Sequence, residues 1–228
     1  MTKFITYNIW FSELHKIKRI KKVITEIKRY DADFIALQEV TNEVIPYLKQ
    51  AFKTYFFIGE PLYFGYDTLL LSKYKPLQWE KYLLPKTKMG RSILYGEYEV
   101  NNKKVTVGTF HLESVFTTDD IKIEQFHFMT SILPPSTVLL GDTNISSNIQ
   151  THYQDLFIMA SEPEFFKNTY SITNTNVKKY NSRLDKIFTN MTLSIQRFLL
   201  IGTKPTVLTD KGMIHPSDHY GVFVEVDI

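Results

Sequence analysis

Short segments of strand-forming residues recur along the whole chain, and this pattern constrains the fold more than any other feature of the sequence. Each segment is rich in β-branched, aromatic or other apolar residues, and most stop at a small polar cluster. The predicted strands cover residues 3–9, 34–37, 68–72, 93–100, 105–112, 137–141, 184–189, 194–201 and 220–228. Residues 101–104, between two of these strands, resemble a hairpin turn.

Three segments between the strands have the apolar spacing of helices. The first is predicted to begin at a Ser12 cap and to place an apolar stripe on one face as far as Ile27. The second covers residues 43–52 despite Pro46, and the third covers residues 119–133 before two prolines. Residues from about 142 to 181 are predicted to be irregular.

The order of these elements predicts an α/β (α+β) fold. No internal repeat, low-complexity tract or flexible linker divides the 228 residues, so we predict one domain, residues 1–228. Two β-rich halves, each with helices, predict a layered sandwich of two mostly antiparallel sheets. A doubly wound nucleotide-binding sheet is disfavoured because most connections look antiparallel and no glycine-rich phosphate loop is present.

The composition narrows the range of functions. A net charge of +3 is compatible with a polyanionic partner but does not require one. Without cysteine there is no disulfide framework, thiolate nucleophile or cysteine-based zinc site. No long apolar stretch or leader-like start is present, so we expect an intracellular protein, nuclear or cytoplasmic, that does not enter membranes.

Polar side chains stand where the predicted strands end, and strand ends are where active sites are commonly built. The candidates are Asn8, Glu39, His111, Asp142, Asn144, Asp185, Asp218 and His219. Among them, Asp185 lies on a strand that should be half buried, where an ionised carboxylate needs a partner such as a histidine.

Each candidate also has a structural interpretation. Asn8 is a common turn former, and Glu39 could be the first solvated residue after its strand. Asp142 and Asn144 could form only an Asx-turn. A buried histidine such as His111 is more often a hydrogen-bonded core residue than a catalyst. The functional interpretation gains weight because all the candidates occur together in one mixed α/β chain.

Carboxylate and amide oxygens favour a hard cation, and Mg²⁺ prefers one or two carboxylates with water and substrate phosphate. Zinc is the alternative, but His111, His215 and His219 lack the helical spacing that preforms a zinc site. A Ser-His-Asp hydrolase is disfavoured because the sequence has no Gly-x-Ser-x-Gly elbow.

Five motifs in order resemble the endonuclease/exonuclease/phosphatase superfamily of metal-dependent phosphoesterases. They are Tyr-Asn8, Leu-Gln-Glu39, Gly-Asp142-Thr-Asn144, Arg-Leu-Asp185 and Ser-Asp218-His219. One motif alone would be weak evidence, but the set spans essentially the whole chain. The resemblance implies a four-layered αββα sandwich.

Further segments resemble the tyrosyl-DNA phosphodiesterase branch of that superfamily. They are His111-Leu-Glu-Ser114, Thr143, Met89-Gly-Arg91 and the early Tyr-Asn-Ile-Trp-Phe11. Enzymes of that branch cleave the bond between a protein tyrosine and the 5′-phosphate of DNA, and some act on RNA. The resemblance implies a nucleic-acid substrate carrying a 5′-linked tyrosine or peptide, with the protein acting as a monomer.

The resemblance also implies roles for the candidates. Glu39 and Asp218 would bind Mg²⁺, or Mn²⁺ in its place, with Asn8 helping. Trp10 stands where relatives often carry an acidic residue, which favours one ion.

The other candidates would carry out the chemistry. Asp142, oriented by Asn144, would accept a proton from the attacking water. His219, held by Asp185, would donate a hydrogen bond to the phosphoryl oxygens together with His111.

Four residues are predicted to contact the substrate. Arg91, Lys178 and Lys179 are candidates for the phosphate backbone, and Tyr66 could stack on a base or a tyrosine. The basic segment 16–22 is interpreted as the solvated face of the first helix rather than as a nucleic-acid patch.

Other functions use the same motifs. An abasic-site endonuclease, a deadenylase or a sphingomyelinase would keep the chemistry and change the substrate, and a non-catalytic binding module would keep only the fold. The segment His111 to Ser114 argues against these three other enzymes. The intact set of Glu39, Asp142 and His219 argues against a non-catalytic binding module.

Overall fold

The computed structural model describes residues 1–60, 62, 65–115, 117–160, 167–171 and 181–228. The strands are β1 Thr2–Asn8, β2 Phe34–Val40, β3 Phe56–Ile58, β4 Asp67–Ser72, β5 Gln78–Leu83, β6 Ser92–Val100, β7 Lys103–His111, β8 Thr137–Asp142, β9 Gln154–Asp155, β10 Tyr170–Ser171, β11 Asn181–Ser182, β12 Asp185–Thr189, β13 Ser194–Ile201, β14 Val207–Thr209, β15 Gly212–Ile214 and β16 Gly221–Asp227. The helices are α1 Lys16–Lys28, α2 Ile45–Ala51, α3 Asp119–Ile132 and α4 Leu156–Met159.

Most of these strands form two six-stranded sheets. The first sheet has the order β13-β16-β1-β2-β4-β3, and the second has the order β5-β6-β7-β8-β12-β9. Two strand pairs are parallel, β1 with β2 and β7 with β8, and the other pairings are antiparallel. Each parallel pair is connected through a helix, α1 in the first sheet and α3 in the second. The sheet content and the mixed, mostly antiparallel pairing agree with the sequence prediction.

Alternating side chains bury both faces of each sheet, which explains why the strands are almost continuously apolar. In β1, Phe4 points into the core between the sheets, and Ile5 joins the core under α1 and α2. In β8, Leu140 lies between the sheets, while Leu139 packs with Phe126 of α3. The layers therefore follow in the order helix, sheet, sheet, helix, and the predicted αββα sandwich is confirmed.

All nine predicted strands and all three predicted helices are present, most of them with shifted ends. The first helix begins at Lys16, not after a cap at Ser12, because the residues before it form a separate loop and His15 occupies the N-cap position. The hairpin turn between β6 and β7 is tight, with positive φ at Asn101 and Asn102, which asparagine tolerates.

Several elements were not predicted: the edge strand β5, the short strands β3, β14 and β15, and short elements within the segment predicted to be irregular. Every residue of β5 is at least partly exposed, so the strand lacks the buried alternation that identifies a strand from sequence. Strand β9 and helix α4 lie within the segment from 142 to 181.

The basic segment of α1 is only partly solvated. Lys18 and Lys22 are exposed as predicted, but Lys16 and Arg19 are buried. Lys16 pairs with Glu13 and Glu43, outside the helix, and this pairing could not be seen in the helical pattern. Within the described part of the chain, none of the helices has the length and apolarity needed to cross a bilayer.

Candidate active site

The candidate residues converge at the carboxyl ends of the two parallel strand pairs. In the first sheet, Asn8 at the end of β1 lies in register with Gln38 of β2. In the second sheet, His111 at the end of β7 lies in register with Asp142 at the end of β8. Because the two sheets pack face to face, these four strand ends meet along one edge of the sandwich.

A buried hydrogen-bond chain holds the two sheets together beneath this edge. Thr6 of β1 donates its hydroxyl to Gln38 Oε1 at 3.2 Å. The Gln38 amide then donates to Thr109 Oγ1 of β7 at 3.0 Å. Gln38 belongs to the Leu-Gln-Glu motif, but its linking role was not predicted, because sequence spacing does not show which strands face each other.

Glu39 occupies a β-bulge in β2. Leu37 pairs with Leu69 and Val40 with Asp67, so Gln38 and Glu39 stand opposite a single residue of β4. Glu39 has a φ of 60°, an uncommon conformation for a residue with a side chain. The bulge turns its carboxylate toward the site, where Oε2 accepts the Phe11 N–H at 2.9 Å.

Asn8 links the carboxylates of the two sheets. Its amide nitrogen lies 3.2 Å from Glu39 Oε1 and 3.0 Å from Asp142 Oδ2. Its amide oxygen accepts the main-chain N–H of Trp10. In this arrangement the nitrogen of Asn8, rather than its oxygen, faces the two carboxylates.

Asp142 is buried among hydrogen-bond donors. Its Oδ1 accepts the Asn144 N–H at 2.8 Å, in the turn predicted for this motif. Its Oδ2 lies 3.3 Å from His111 Nε2 and 3.8 Å from His219 Nε2, in addition to the Asn8 amide. Burial would raise the pKa of Asp142, but the histidines and these donors outweigh burial, so its pKa is lowered.

His111 is a neutral histidine with its proton on Nε2. Arg91 lies with Nη1 2.7 Å from His111 Nδ1, and a guanidinium can only donate, so Nδ1 must accept. The remaining proton is then on Nε2, which faces Asp142. Burial and the charge of Arg91 both lower the pKa of His111, in agreement with a neutral ring.

His219 differs from His111 in its protonation. Its Nδ1 lies 2.8 Å from Asp185 Oδ2, and a carboxylate accepts, so Nδ1 carries a proton. Burial would lower the pKa of His219, but Asp185 and Asp142 outweigh burial and raise it to about 10. At neutral pH this ring is therefore an imidazolium, with Nε2–H directed toward Asp142.

The turn that carries Asp218 and His219 is tied to the end of β1. Ser217 donates its hydroxyl to the Asn8 carbonyl at 2.7 Å and accepts the His219 N–H at 3.2 Å. The ring of Tyr170 packs on His219 at 4.8 Å. Neither Ser217 nor Tyr170 was predicted as a site residue, although Ser217 belongs to the Ser-Asp-His motif.

Glu39 and Asp218 are the acidic groups best suited to a hard cation. Both are partly open to solvent, whereas Asp142 and Asp185 are at most 2% exposed. Burial and the charge of Asp218 raise the pKa of Glu39, and burial also raises the pKa of Asp218. Two oxygen donors whose negative charges destabilise each other fit a divalent ion.

Ligand atoms of Asp142, Asp185 and His219 lie within 4.8 Å of one another and form a second group of potential metal ligands. In this group, however, His219 Nδ1 is already bonded to Asp185, and both carboxylates are fully buried. These contacts suit a hydrogen-bond relay better than an ion.

A further set of hydrogen bonds supports the loop whose Arg91 contacts His111. Glu113 is buried, and its Oε2 accepts the Thr87 hydroxyl and the Lys88 N–H, each at 2.9 Å. Thr87 Oγ1 in turn accepts the Arg91 N–H at 2.7 Å. Glu113 therefore fixes the loop that carries Arg91 against His111, a role that its position in the His-Leu-Glu-Ser segment did not reveal.

The four predicted substrate contacts have different outcomes. Arg91 is 5% exposed and is bonded to His111 and Ser114, and its contact to the phosphate backbone stays a prediction. Tyr66 stacks on Phe11 at 4.5 Å between ring centres and lies under the Arg91 guanidinium. Lys178 and Lys179 lie outside the described residues.

Comparisons with known proteins agree with this architecture. A family model described as "Endonuclease/Exonuclease/phosphatase family" matches residues 5–219. Tyrosyl-DNA phosphodiesterase 2 of Xenopus laevis is 29% identical over 252 residues, and that of Xenopus tropicalis is 27% identical over 249. Each alignment covers 99% of this chain but only 66% of the relative, so the chain spans about two thirds of their length.

A solved structure shares the whole fold. The crystal structure of D. rerio TDP2 complexed with single-strand DNA product superimposes with a TM-score of 0.87 and 22% identity. The match covers 100% of this chain and 99% of that one. At this identity, the likeness establishes the fold.

Proposed function

The chain belongs to the endonuclease/exonuclease/phosphatase family, and from that membership we propose that it is a metal-dependent phosphodiesterase. The family resemblance drawn from the five motifs is confirmed. The proposed substrate is DNA, or alternatively RNA, whose 5′-phosphate is joined to a protein tyrosine. The observation that carries the proposal is the buried Asp142 carboxylate, which faces two histidines beside the more open Glu39 and Asp218.

Glu39 and Asp218 would hold one Mg²⁺, with Asn8 beside them, and Mn²⁺ could take its place. When bound, a divalent cation supplies Lewis-acid polarisation of a phosphoryl oxygen and neutralises negative charge. The side chains contribute the geometry: the Phe11 N–H and the Asn8 amide fix the orientation of the Glu39 carboxylate.

Asp142 accepts the proton of the attacking water. Its lowered pKa keeps it ionised at neutral pH, so it is ready to accept. The Asn144 N–H holds Oδ1 in place, and Oδ2 accepts the Asn8 amide on the side facing the two histidines. A positioned general base of this kind typically accelerates a reaction by about 10²- to 10⁴-fold.

The two histidines act as donors to the phosphoryl oxygens. His111 offers a neutral N–H because Arg91 occupies its other nitrogen. His219 offers a charged N–H because Asp185 keeps it protonated. Donors fixed in this way stabilise the negative charge that develops in the transition state.

The names of the two Xenopus relatives support tyrosine as the leaving group. A phenol has a pKa of about 10 and leaves more readily than a sugar alkoxide, so it needs little help from a general acid. The donors and base described above are therefore sufficient for a tyrosyl substrate. Cleavage at an abasic site would require protonation of a poorer leaving group.

The decisive experiment compares three substrates with Mg²⁺ or with EDTA: a 5′-phosphotyrosyl oligonucleotide, an abasic duplex and sphingomyelin. We expect release of tyrosine from the first substrate in the presence of Mg²⁺ and no turnover in EDTA. Cleavage of the abasic duplex alone would overturn the tyrosyl assignment and leave a nuclease of the same family. A fully inactive protein that still binds DNA would favour a binding module.

Several finer expectations belong to this proposal. Residues 1–228 act as one catalytic domain, and the protein works as a monomer in the nucleus or the cytoplasm. Tyr66 and Arg91 line the side of the site next to His111, where the tyrosine would lie. Lys178 and Lys179 remain proposed contacts to the nucleic-acid backbone.

A further inference from the structure

Arg19 is a fully buried arginine that takes no part in the chemistry described above. It lies in α1 with 1% of its surface exposed. A guanidinium has five N–H donors, and five hydrogen bonds of 2.6 to 3.2 Å leave this one, all to main-chain carbonyl oxygens. The acceptors are the carbonyls of Ile9, Trp10, Ser12, Leu14 and Pro216.

These carbonyls belong to two segments that are distant in sequence and adjacent at the site. Four of them lie in the loop that follows Asn8. The fifth belongs to Pro216, directly before the turn that carries Asp218. The guanidinium thus fastens the loop after β1, whose Phe11 N–H holds Glu39, to the turn that supplies Asp218.

Burial of this charge is costly, and the five carbonyl acceptors, none of them a carboxylate, offset only part of the cost. One face of the guanidinium is covered by the Trp10 ring, 4.4 Å from its centroid. The acidic groups that act on it most strongly through charge are Asp218 and Glu39. Arg19 therefore interacts electrostatically with the same two carboxylates that are suited to bind a cation.

We propose that Arg19 is a positioning residue for the divalent-cation site, bracing the loop after β1 against the Pro216 turn so that Glu39 and Asp218 are held together. The inference rests on the proposed function in one respect, the assignment of these two carboxylates to the cation.

Replacement of Arg19 would change the affinity for a cation in two opposite ways, one through its charge and one through the contacts that it makes. A positive charge behind the carboxylates repels a cation, so its removal alone would strengthen cation binding. Loss of the brace would let the two carboxylates separate, which weakens binding. The direction of the change in metal affinity therefore distinguishes the two effects.

The test is a titration with Mn²⁺, followed by electron paramagnetic resonance without nucleic acid, on Arg19→Met and Arg19→Lys. We expect both variants to raise the Kd for Mn²⁺ about tenfold or more, which corresponds to about 1.4 kcal/mol. Lysine keeps the charge but cannot reach five carbonyls from one planar group, so it should not rescue binding. Lys18→Met, an exposed change of equal charge in the same helix, is the matched control and should leave the Kd within about twofold.

An unchanged or lower Kd in Arg19→Met would overturn the proposal. If that variant does not fold, as judged by circular dichroism, wild-type affinity in Arg19→Lys would overturn it instead. Turnover of the phosphotyrosyl oligonucleotide is measured separately. A wild-type protein that binds Mn²⁺ but does not cleave this substrate would refute the tyrosyl function and leave the role of Arg19 standing.

Discussion

The β1-α1-β2 unit and the β7-α3-β8 unit have the same topology and lie in opposite sheets. Each has a parallel strand pair, a connecting helix and polar residues at both strand ends. Each helix also sends a basic side chain to a main-chain carbonyl of the site. Arg19 of α1 reaches the loop after Asn8, and Lys122 of α3 donates to the Asn144 carbonyl at 2.8 Å.

The two units differ in how they hold a carboxylate. Glu39 in the first unit sits in a strained bulge, partly exposed, and has the like-charged Asp218 as a neighbour. Asp142 in the second unit continues a regular strand and is enclosed by donors. The difference indicates that the enclosed carboxylate is balanced by donors of the protein itself, whereas the open pair is suited to an external cation, as proposed above.

The largest expected difference between the units is in their response to metal concentration. Glu39→Gln weakens cation binding, so its loss of kcat/KM should shrink as Mg²⁺ or Mn²⁺ is raised. Asp142→Asn removes the base, so kcat should stay about 10³-fold low at every metal concentration. Steady-state kinetics on the phosphotyrosyl oligonucleotide over a metal series tests both variants. Recovery of Asp142→Asn by metal would contradict the division of roles.

The same contrast predicts stability changes of opposite sign in EDTA. Asp142→Ala leaves the charged His219 and other buried donors without their partner, so it should lower the free energy of unfolding by about 3 kcal/mol. Glu39→Gly relieves the positive φ and removes a repelled charge, so it should raise that free energy by about 1 kcal/mol. This gain corresponds to about 2–4 °C in Tm. Urea and thermal melts of both variants test these signs. A destabilised Glu39→Gly protein would show that the lost hydrogen bonds from Phe11 and Asn8 outweigh the relief of the positive φ.

A smaller effect is expected from the residue that orients His111 in the second unit. Glu113→Ala should free the loop that carries Arg91 and lower kcat about tenfold, or about 1.4 kcal/mol, without changing the Kd for Mn²⁺. The control is Glu124→Ala, since Glu124 pairs with Lys86 of the same loop from the exposed side. Its kcat should stay near that of the wild type. If kcat fell equally in both variants, any loosening of the loop would have the same effect, and Glu113 would have no specific role in orienting His111.

The strand ends could be predicted from the sequence because apolar runs stop abruptly at polar residues. The cost of burying Asp185 on a strand was enough to suggest a histidine partner, and the structure places it 2.8 Å from His219. The tight turn at Asn101 and Asn102 was likewise visible in a local pattern. Such features depend on neighbouring residues in the chain or on one strong energetic cost.

The bracing residues could not be predicted because their contacts depend on loop conformation and on segments that are distant in sequence. Arg19 has the spacing of a solvated helix face, but it contacts four carbonyls of the preceding loop and that of Pro216, 197 positions away. Gln38 reaches Thr109 only because the two sheets face each other. The bulge at Glu39 arises from pairing with β4, which no local pattern in β2 specifies.

A pH-dependent effect is expected from His219, whose charge acts on carboxylates of both sheets. Its pKa is about 10 in the folded protein and about 6.5 in the unfolded chain, so the folded state retains a proton that the unfolded state loses between these values. The stability that His219 contributes is therefore complete below pH 6.5 and is lost as pH rises through about 10.

In urea melts with EDTA, the excess stability of the wild type over His219→Gln should narrow steadily from pH 6.5 to 10. Lys186, whose pKa burial lowers to about 8, gives a contribution of opposite slope over part of this range. That contribution is common to both proteins and cancels in their difference. A gap that stays constant or widens with pH would mean that His219 is neutral when folded. The side-chain donors that the structure places around Asp142, from Asn8, His111 and His219, would then all be neutral.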